Sequence, residues 1–279
     1  MRRLTQPGPV APARIDAFGA ALVPLVTMLE PGRTLAEAVT RPLVAAGFTA
    51  ATLRLTDAGM DPFRYVRPGP ADGPAHVAWF DGPYAPAGEV RVTEANATFG
   101  WTDGAPALHC HAAWIEPDGA RRGGHILPTE TVLAAPVRME AWGTTTVRIE
   151  SAPDAETNFT LFQPVGAPDG AGAPGSGIVA RLKPNEDLTA AVEALAAAHG
   201  LREAVVRGSL GSLVGARFAD GHVVPDHATE VLVRRGELRA GVATLELVVV
   251  DMQGEVHAGV LARGENAVCI TFDLFLDAA

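Results

Sequence analysis

The second half of the chain changes hydrophobic period in a regular way. Residues 178–182 form a short apolar run that predicts a strand. Residues 187–199 place Leu188, Val192 and Leu195 at helical spacing in an alanine-rich segment, with a cap near Asn185 and a stop at Gly200, which predicts an amphipathic helix. A strand at 204–206 follows. From Thr229 onward come short β-branched runs at 229–234, 245–250, 256–261 and 268–276, separated by turns that carry glycine. Strands this close together leave no room for helical crossovers. They predict a mostly antiparallel sheet with one main helix on a face, an α+β unit.

The first half repeats this order. Leu29-Glu30-Pro31 through Leu35 matches Leu182-Lys183-Pro184 through Leu188 at an offset of 153, and the same offset carries Gly47 and Ala51 onto Gly200 and Ala204. The offset slips to 136 where Glu94 and Gly100 meet Glu230 and Gly236, so the first copy holds extra residues before that point. It ends at 135, where Asp118-Gly119 and Gly124 meet Gln253-Gly254 and Gly259. Between the copies, ten of the thirteen residues 165–177 are Gly, Ala or Pro, a linker composition. The expected organisation is a flexible extension at 1–14, a first domain at 15–164, a linker at 165–177 and a second domain at 178–279. A length of 279 residues accommodates two such domains.

Only the first copy contains a histidine constellation. The apolar run 106–114 predicts a strand on which His109 and His111 share a face and Cys110 points the other way. Asp118-Gly119 is a turn signal, and a hairpin about it brings His125 beside His111 or between His109 and His111, with Gly123 and Gly124 leaving room for a close approach. Three imidazoles so placed can hold one tetrahedral divalent ion and leave a fourth position open to water or substrate. Ligand type suits Zn2+ first, with iron, nickel or copper also compatible. In the second copy the aligned positions are Glu246, Val248 and Val260, which cannot form such a site. His199, His222, His227 and His257 are expected at the surface or in loops.

Charge narrows the partners. With 22 basic and 32 acidic residues the formal charge is −10, which repels nucleic acid and anionic membrane on average. The arginine doublets at 2–3, 121–122 and 234–235 are too short for a polybasic patch. Two cysteines, Cys110 and Cys269, are too few for a disulfide framework and point to a reducing, cytoplasmic setting. The apolar stretch 17–29 follows arginines as a signal peptide would, but it carries no A-x-A site, abuts Asp16 and is too short to span a membrane.

The run Pro106 to His111, then Asp118-Gly119 and Gly123-Gly124-His125, with Glu94 and Gly100 upstream, resembles the signature of the PPC (plant and prokaryote conserved) domain. The second copy resembles it more clearly, through Arg181 to Pro184, Gly208 to Leu213, Thr229 to Leu232 and Gly236. The resemblance implies two tandem α+β domains, assembly as a homo-oligomer with a trimer favoured, and histidine-bound metal at His109, His111 and His125. It also brings a DNA-binding label, which plant members owe to an Arg-Gly-Arg-Pro hook that this chain lacks. Thr56 to Met60 stands where the first copy would carry its Gly-Ser-Leu-Gly-Ser turn.

Three functions follow as expectations: a zinc-type protein that binds or acts on a small molecule, a DNA-binding regulator, and a structural oligomerisation module. For the first, Glu94 and Glu116 are the nearby carboxylates in sequence, more simply read as solvated groups. Trp101, Trp114, Trp142, Phe159 and Phe162 are aromatic residues near the site, expected to belong to the core more than to a ligand wall.

Overall fold

In the computed structural model, residues 1–166 and 177–279 are described. The linker expected at 165–177 therefore lies outside the described residues except at its ends. In chain order the first half comprises β1 (Ile15–Gly19), β2 (Val23–Leu29), α1 (Leu35–Ala45), β3 (Ala50–Met60), β4 (Tyr65–Gly69), β5 (Trp79–Tyr84), β6 (Val90–Thr102), β7 (Ala105–Ile115), β8 (Arg121–Ile126), β9 (Val137–Thr144), β10 (Val147–Pro153) and β11 (Thr160–Gly166). The second half comprises β12 (Gly177–Leu182), α2 (Leu188–Ala198), β13 (Ala204–Leu213), β14 (Ala216–Arg217), β15 (Val223–Val224), β16 (Thr229–Arg239), β17 (Val242–Val250), β18 (Val256–Val260) and β19 (Val268–Ala278). The architecture is mostly antiparallel β with two eleven-residue helices among the described residues, so the helical share of the expected α+β class is small.

The internal repeat is written into the strand order. One sheet runs β2-β9-β3-β6-β7-β8-β4-β5 and the other β12-β19-β13-β16-β17-β18, preceded at its edge by β1. Each shared strand, counted along its own copy, occupies the same place. The turns repeat as well: Asp103-Gly104 and Ala240-Gly241 both take left-handed backbone (φ 51° and 77°, 50° and 82°) in the two-residue loops joining β6 to β7 and β16 to β17. Such loops match the twist of a hairpin, and glycine in the second position avoids the clash of a Cβ.

The helices start as their sequences dictate. Thr34 caps α1 in a reciprocal box, its hydroxyl accepting from the Glu37 amide while the Glu37 carboxylate accepts from the Thr34 amide. In α2 the cap is Asp187, near Asn185 as expected: the Asp187 carboxylate accepts from the Ala190 amide at 2.9 Å. Asn185 itself takes left-handed backbone (φ 69°) and hydrogen-bonds through its side chain to the Leu4 backbone.

Helix α1 packs on one face of its sheet through Leu35, Val39 and Leu43, joined by Leu53, Cys110, Ala112 and Trp114. Helix α2 does the same through Leu188, Val192 and Leu195 against Leu247 and Val249. The remaining faces of the two sheets meet each other, where Ala113 packs with Leu210, Leu232 and Val248. Asn96 ties this junction by donating to the carbonyls of Ser209 (3.0 Å) and Val233 (2.8 Å), both beside irregularities in their strand ladders. A Cβ on Gly123 would stand 2.4 Å from Val250, so only glycine lets β8 approach the second sheet this closely.

Residues at the start of the chain cross to the second copy. Strand β1 pairs along its whole length with β12, and residues 1–14, expected as a flexible extension, are held by Gln6 to the Cys269 carbonyl and by Arg14 to Glu156. The apolar stretch 17–29 is spent on β1 and β2. Among the described residues no helix is long and apolar enough to cross a membrane.

Candidate metal centre

Strand periodicity places the histidines. On β7, Cys110 and Ala112 face the α1 side of the sheet and His109 and His111 face the second copy. Strand β8 returns antiparallel with His125 directly opposite His111, the register set by the Asp118-Gly119 turn. One ligand atom from each ring lies within 4.8 Å of the others. His111 is 3% exposed, and the other two are half-buried.

The outer nitrogens are held by the other copy. The Nδ1 of His111 is 3.1 Å from the Val231 carbonyl, which can only accept, so this nitrogen carries the proton and Nε2 offers a lone pair. The Nδ1 of His109 is 2.9 Å from the Asp273 carboxylate, which orients that ring in the same sense. The two Nε2 atoms then face each other at 3.1 Å. Two lone pairs at that distance repel, so the geometry calls for a proton or a cation between them. Nitrogens bound to a tetrahedral zinc at about 2.0–2.1 Å stand roughly 3.3 Å apart, which the observed spacing nearly matches. A carboxylate or carbonyl behind each ligating imidazole is also the usual way of fixing ring orientation at a metal.

Electrostatics favour the ligating form. Burial, then the neighbouring His109 and His125, hold His111 well below the ordinary imidazole range. Burial and His109 push His125 down to about 3. Neutral rings keep their lone pairs available at neutral pH. Burial drives both thiols the other way, up to about 12 at Cys110 and Cys269, so neither offers a thiolate.

A carboxyl group from the second copy completes the floor of the site. Glu230, on β16, is 4% exposed, and its Oε1 lies 3.8 Å from His111 Nε2. Its Oε2 is buried without a hydrogen-bond partner. Burial raises its pKa well above the ordinary carboxylate value. A cavity of about 260 Å³ opens from these residues and is walled by Trp79, Phe80, Phe159 and Phe162.

Sequence reasoning missed Glu230 and Asp273 as members of the site. A signal was present for Asp273, a lone carboxylate in the otherwise apolar strand 268–276. Glu230 lay within a run quoted for its family resemblance and was assigned no role. Glu94 and Glu116 do not line the cavity: Glu94 accepts from Arg234 at 3.0 Å and Glu116 from the Tyr65 hydroxyl at 3.1 Å. The aromatic expectations divide. Trp114 is core, Trp101 donates to the Thr49 carbonyl beneath Arg148, and Trp142 packs with Ile149 and Phe275, whereas Phe159 and Phe162 line the cavity.

The second copy carries none of this. Val260 stands opposite Glu246, the pair that answers His125 opposite His111, while Val248 stands opposite Ala258. The alignment of Val248 with His111 thus shifts to Glu246 when judged from the following turn. No imidazole occupies these positions in either register.

Residues 170–278 match the model of the Plants and Prokaryotes Conserved (PCC) domain, the family called PPC above. No curated protein matches the chain. Solved structures similar to it include a metal-containing protein from Archaeoglobus fulgidus, 16% identical, covering 52% of this chain and 96% of that one with a TM-score of 0.42. A plant- and prokaryote-conserved protein from Pyrococcus horikoshii is 14% identical over 53% of this chain and 96% of that one, with a TM-score of 0.40. A protein from Bacteroides thetaiotaomicron, described as a candidate DNA-binding protein, is 9% identical over 52% of this chain and 96% of that one, also with a TM-score of 0.40.

Proposed function

We propose that this chain, whose second half matches the PCC domain, binds a divalent metal in its first half and uses it to bind or act on a small molecule. His109, His111 and His125 are the ligands in this reading, with Zn2+ as the favoured ion. The observation that carries it is the pair of Nε2 atoms facing each other at 3.1 Å, with His111 Nδ1 against a carbonyl and His109 Nδ1 against a carboxylate. Metal binding would then displace whatever proton the rings share, so affinity should fall as pH is lowered.

When bound, the ion would supply a Lewis-acidic position able to polarise an oxygen of the guest. The chain's own residues supply the rest. Val231 and Asp273 hold two of the rings, and the two sheets exclude water from His111 and Glu230. Trp79, Phe80, Phe159 and Phe162 would flank a guest in the cavity.

Elemental analysis of the purified full-length protein tests this directly. One equivalent of metal per chain is expected in the wild type and none in His111→Ala, and equal metal in both would refute the ligand assignment. The same reading places the chain in the cytoplasm, consistent with its two unpaired buried cysteines. We further propose, on the family resemblance, a homo-oligomer with a trimer favoured, for which gel filtration of the full chain is the check: a strict monomer would end that part.

A further inference from the structure

The cavity has a polar floor, an apolar wall and no cationic side chain among its described lining residues. The floor holds the histidines and Glu230, a buried side chain whose Oε2 has no hydrogen-bond partner. A buried acceptor left unmade is costly, and a guest able to donate a hydrogen bond would satisfy it.

The wall is built from segments with no equivalent in the second copy. The slip in repeat offset from 153 to 136 falls between β3 and β6, where the first copy carries β4 and β5 and the second only the two-residue strands β14 and β15. Strand β5 supplies Trp79 and Phe80, which remain 43% and 42% exposed beside the cavity. The Phe80 ring stands 5.5 Å from His125. The second addition, β10 and β11 after β9, brings Phe159 to 5.0 Å from Trp79 and Phe162 to 6.5 Å from His109. Both additions converge on the histidine cluster that the second copy lacks. A structural patch would have no reason to leave its two most exposed aromatic side chains, Trp79 and Phe80, open over a histidine cluster.

We propose that the cavity takes a small neutral or singly charged oxygen compound with an aromatic or branched apolar body. Its oxygen head lies at the histidine cluster, a hydrogen-bond donor next to that head satisfies Glu230, and the body rests against Trp79, Phe80, Phe159 and Phe162. Polyphosphates are disfavoured, because the single metal ion would have to meet their several charges with no lysine or arginine beside it among the described lining residues. The proposal rests on the metal reading above and adds the ligand class to it.

The test is calorimetry on the full-length protein, first with zinc and then, once zinc has saturated, with benzohydroxamate, acetohydroxamate and inorganic pyrophosphate. Benzohydroxamate is expected to bind at least about tenfold more tightly than acetohydroxamate, and pyrophosphate more weakly than either. Trp79→Ala, at an exposed position, should remove most of the aromatic advantage and leave acetohydroxamate unchanged. Glu230→Leu should weaken both hydroxamates alike while zinc still saturates. If zinc itself fails to bind, the metal reading falls and the ligand class with it. If zinc saturates but the two hydroxamates bind equally, neither binds, or pyrophosphate binds as well as benzohydroxamate, the ligand class alone is overturned.

Discussion

The two copies share a strand order and even the left-handed residues of their turns, yet their facing surfaces have diverged into a plug and a pocket. At the junction, Val248 of the second copy packs with Leu210, Leu232 and Ala113. Next to it, the corresponding face of the first copy carries His109 and His111, and the second copy answers with Asp273, Glu230 and the Val231 carbonyl. Duplication thus let one sheet keep imidazoles while its twin became their support. Neither copy alone holds the whole arrangement.

The largest effect should come from breaking the plug. Leu232 is 1% exposed, and Leu232→Ala is expected to lower unfolding free energy by about 2–5 kcal/mol in urea denaturation, as buried leucine truncations do. A loss below about 1 kcal/mol would mean that the copies are not held by this contact.

Next comes the support of the histidines. Asp273→Asn should weaken zinc binding by about 10- to 100-fold in competition with a chromophoric chelator, the usual cost of removing an outer partner of a ligating imidazole. Asp277→Asn is the control, since Asp277 pairs with Arg207 at 2.8 Å on the same strand. Equal losses in both variants would reduce Asp273 to a general stabiliser.

The pH dependence of the metal-free protein sharpens the contrast further. His111 and His125 have folded pKa values below their ordinary 6.5, so the unfolded chain binds more protons and stability falls as pH drops from about 6.5 toward 3. Glu230 has the opposite sign: its folded pKa is raised above 4.5, so its contribution is present below that value and is lost as pH rises. Glu230→Gln should therefore stabilise the metal-free protein at pH 7.5, by about 1–3 kcal/mol, and have little effect at pH 4. Thermal melts at the two values read this, and a variant less stable at pH 7.5 would contradict the burial argument. The smallest effect is expected from Arg234→Gln. Its partly exposed bridge to Glu94 joins the copies but should contribute less than about 1 kcal/mol.

Much of this was legible in the sequence because it rests on local rules. Period-two alternation put His109 and His111 on one face, and one turn signal brought His125 beside His111 or between the two, of which the strand register selects the position opposite His111. The repeat offsets located the duplication and the region where the first copy holds more residues, but not that these residues form strands. What escaped was non-local. Nothing in the order of residues says that the two sheets meet through the faces opposite their helices, and that choice is what brings Asp273 and Glu230 to the histidines. The crossing of β1 to the second sheet is equally silent, because the edge of β12 is an acceptable partner for any short strand. The bonds from the Asn185 side chain to the Leu4 backbone are non-local in the same way.

X-ray absorption at the zinc edge of the metal-loaded protein addresses the central claim most directly. Three imidazole nitrogens at about 2.0–2.1 Å are expected, with one further oxygen or nitrogen scatterer. A shell of oxygen alone, or one with no imidazole signature, would contradict the account, as would a spectrum unchanged in His111→Ala.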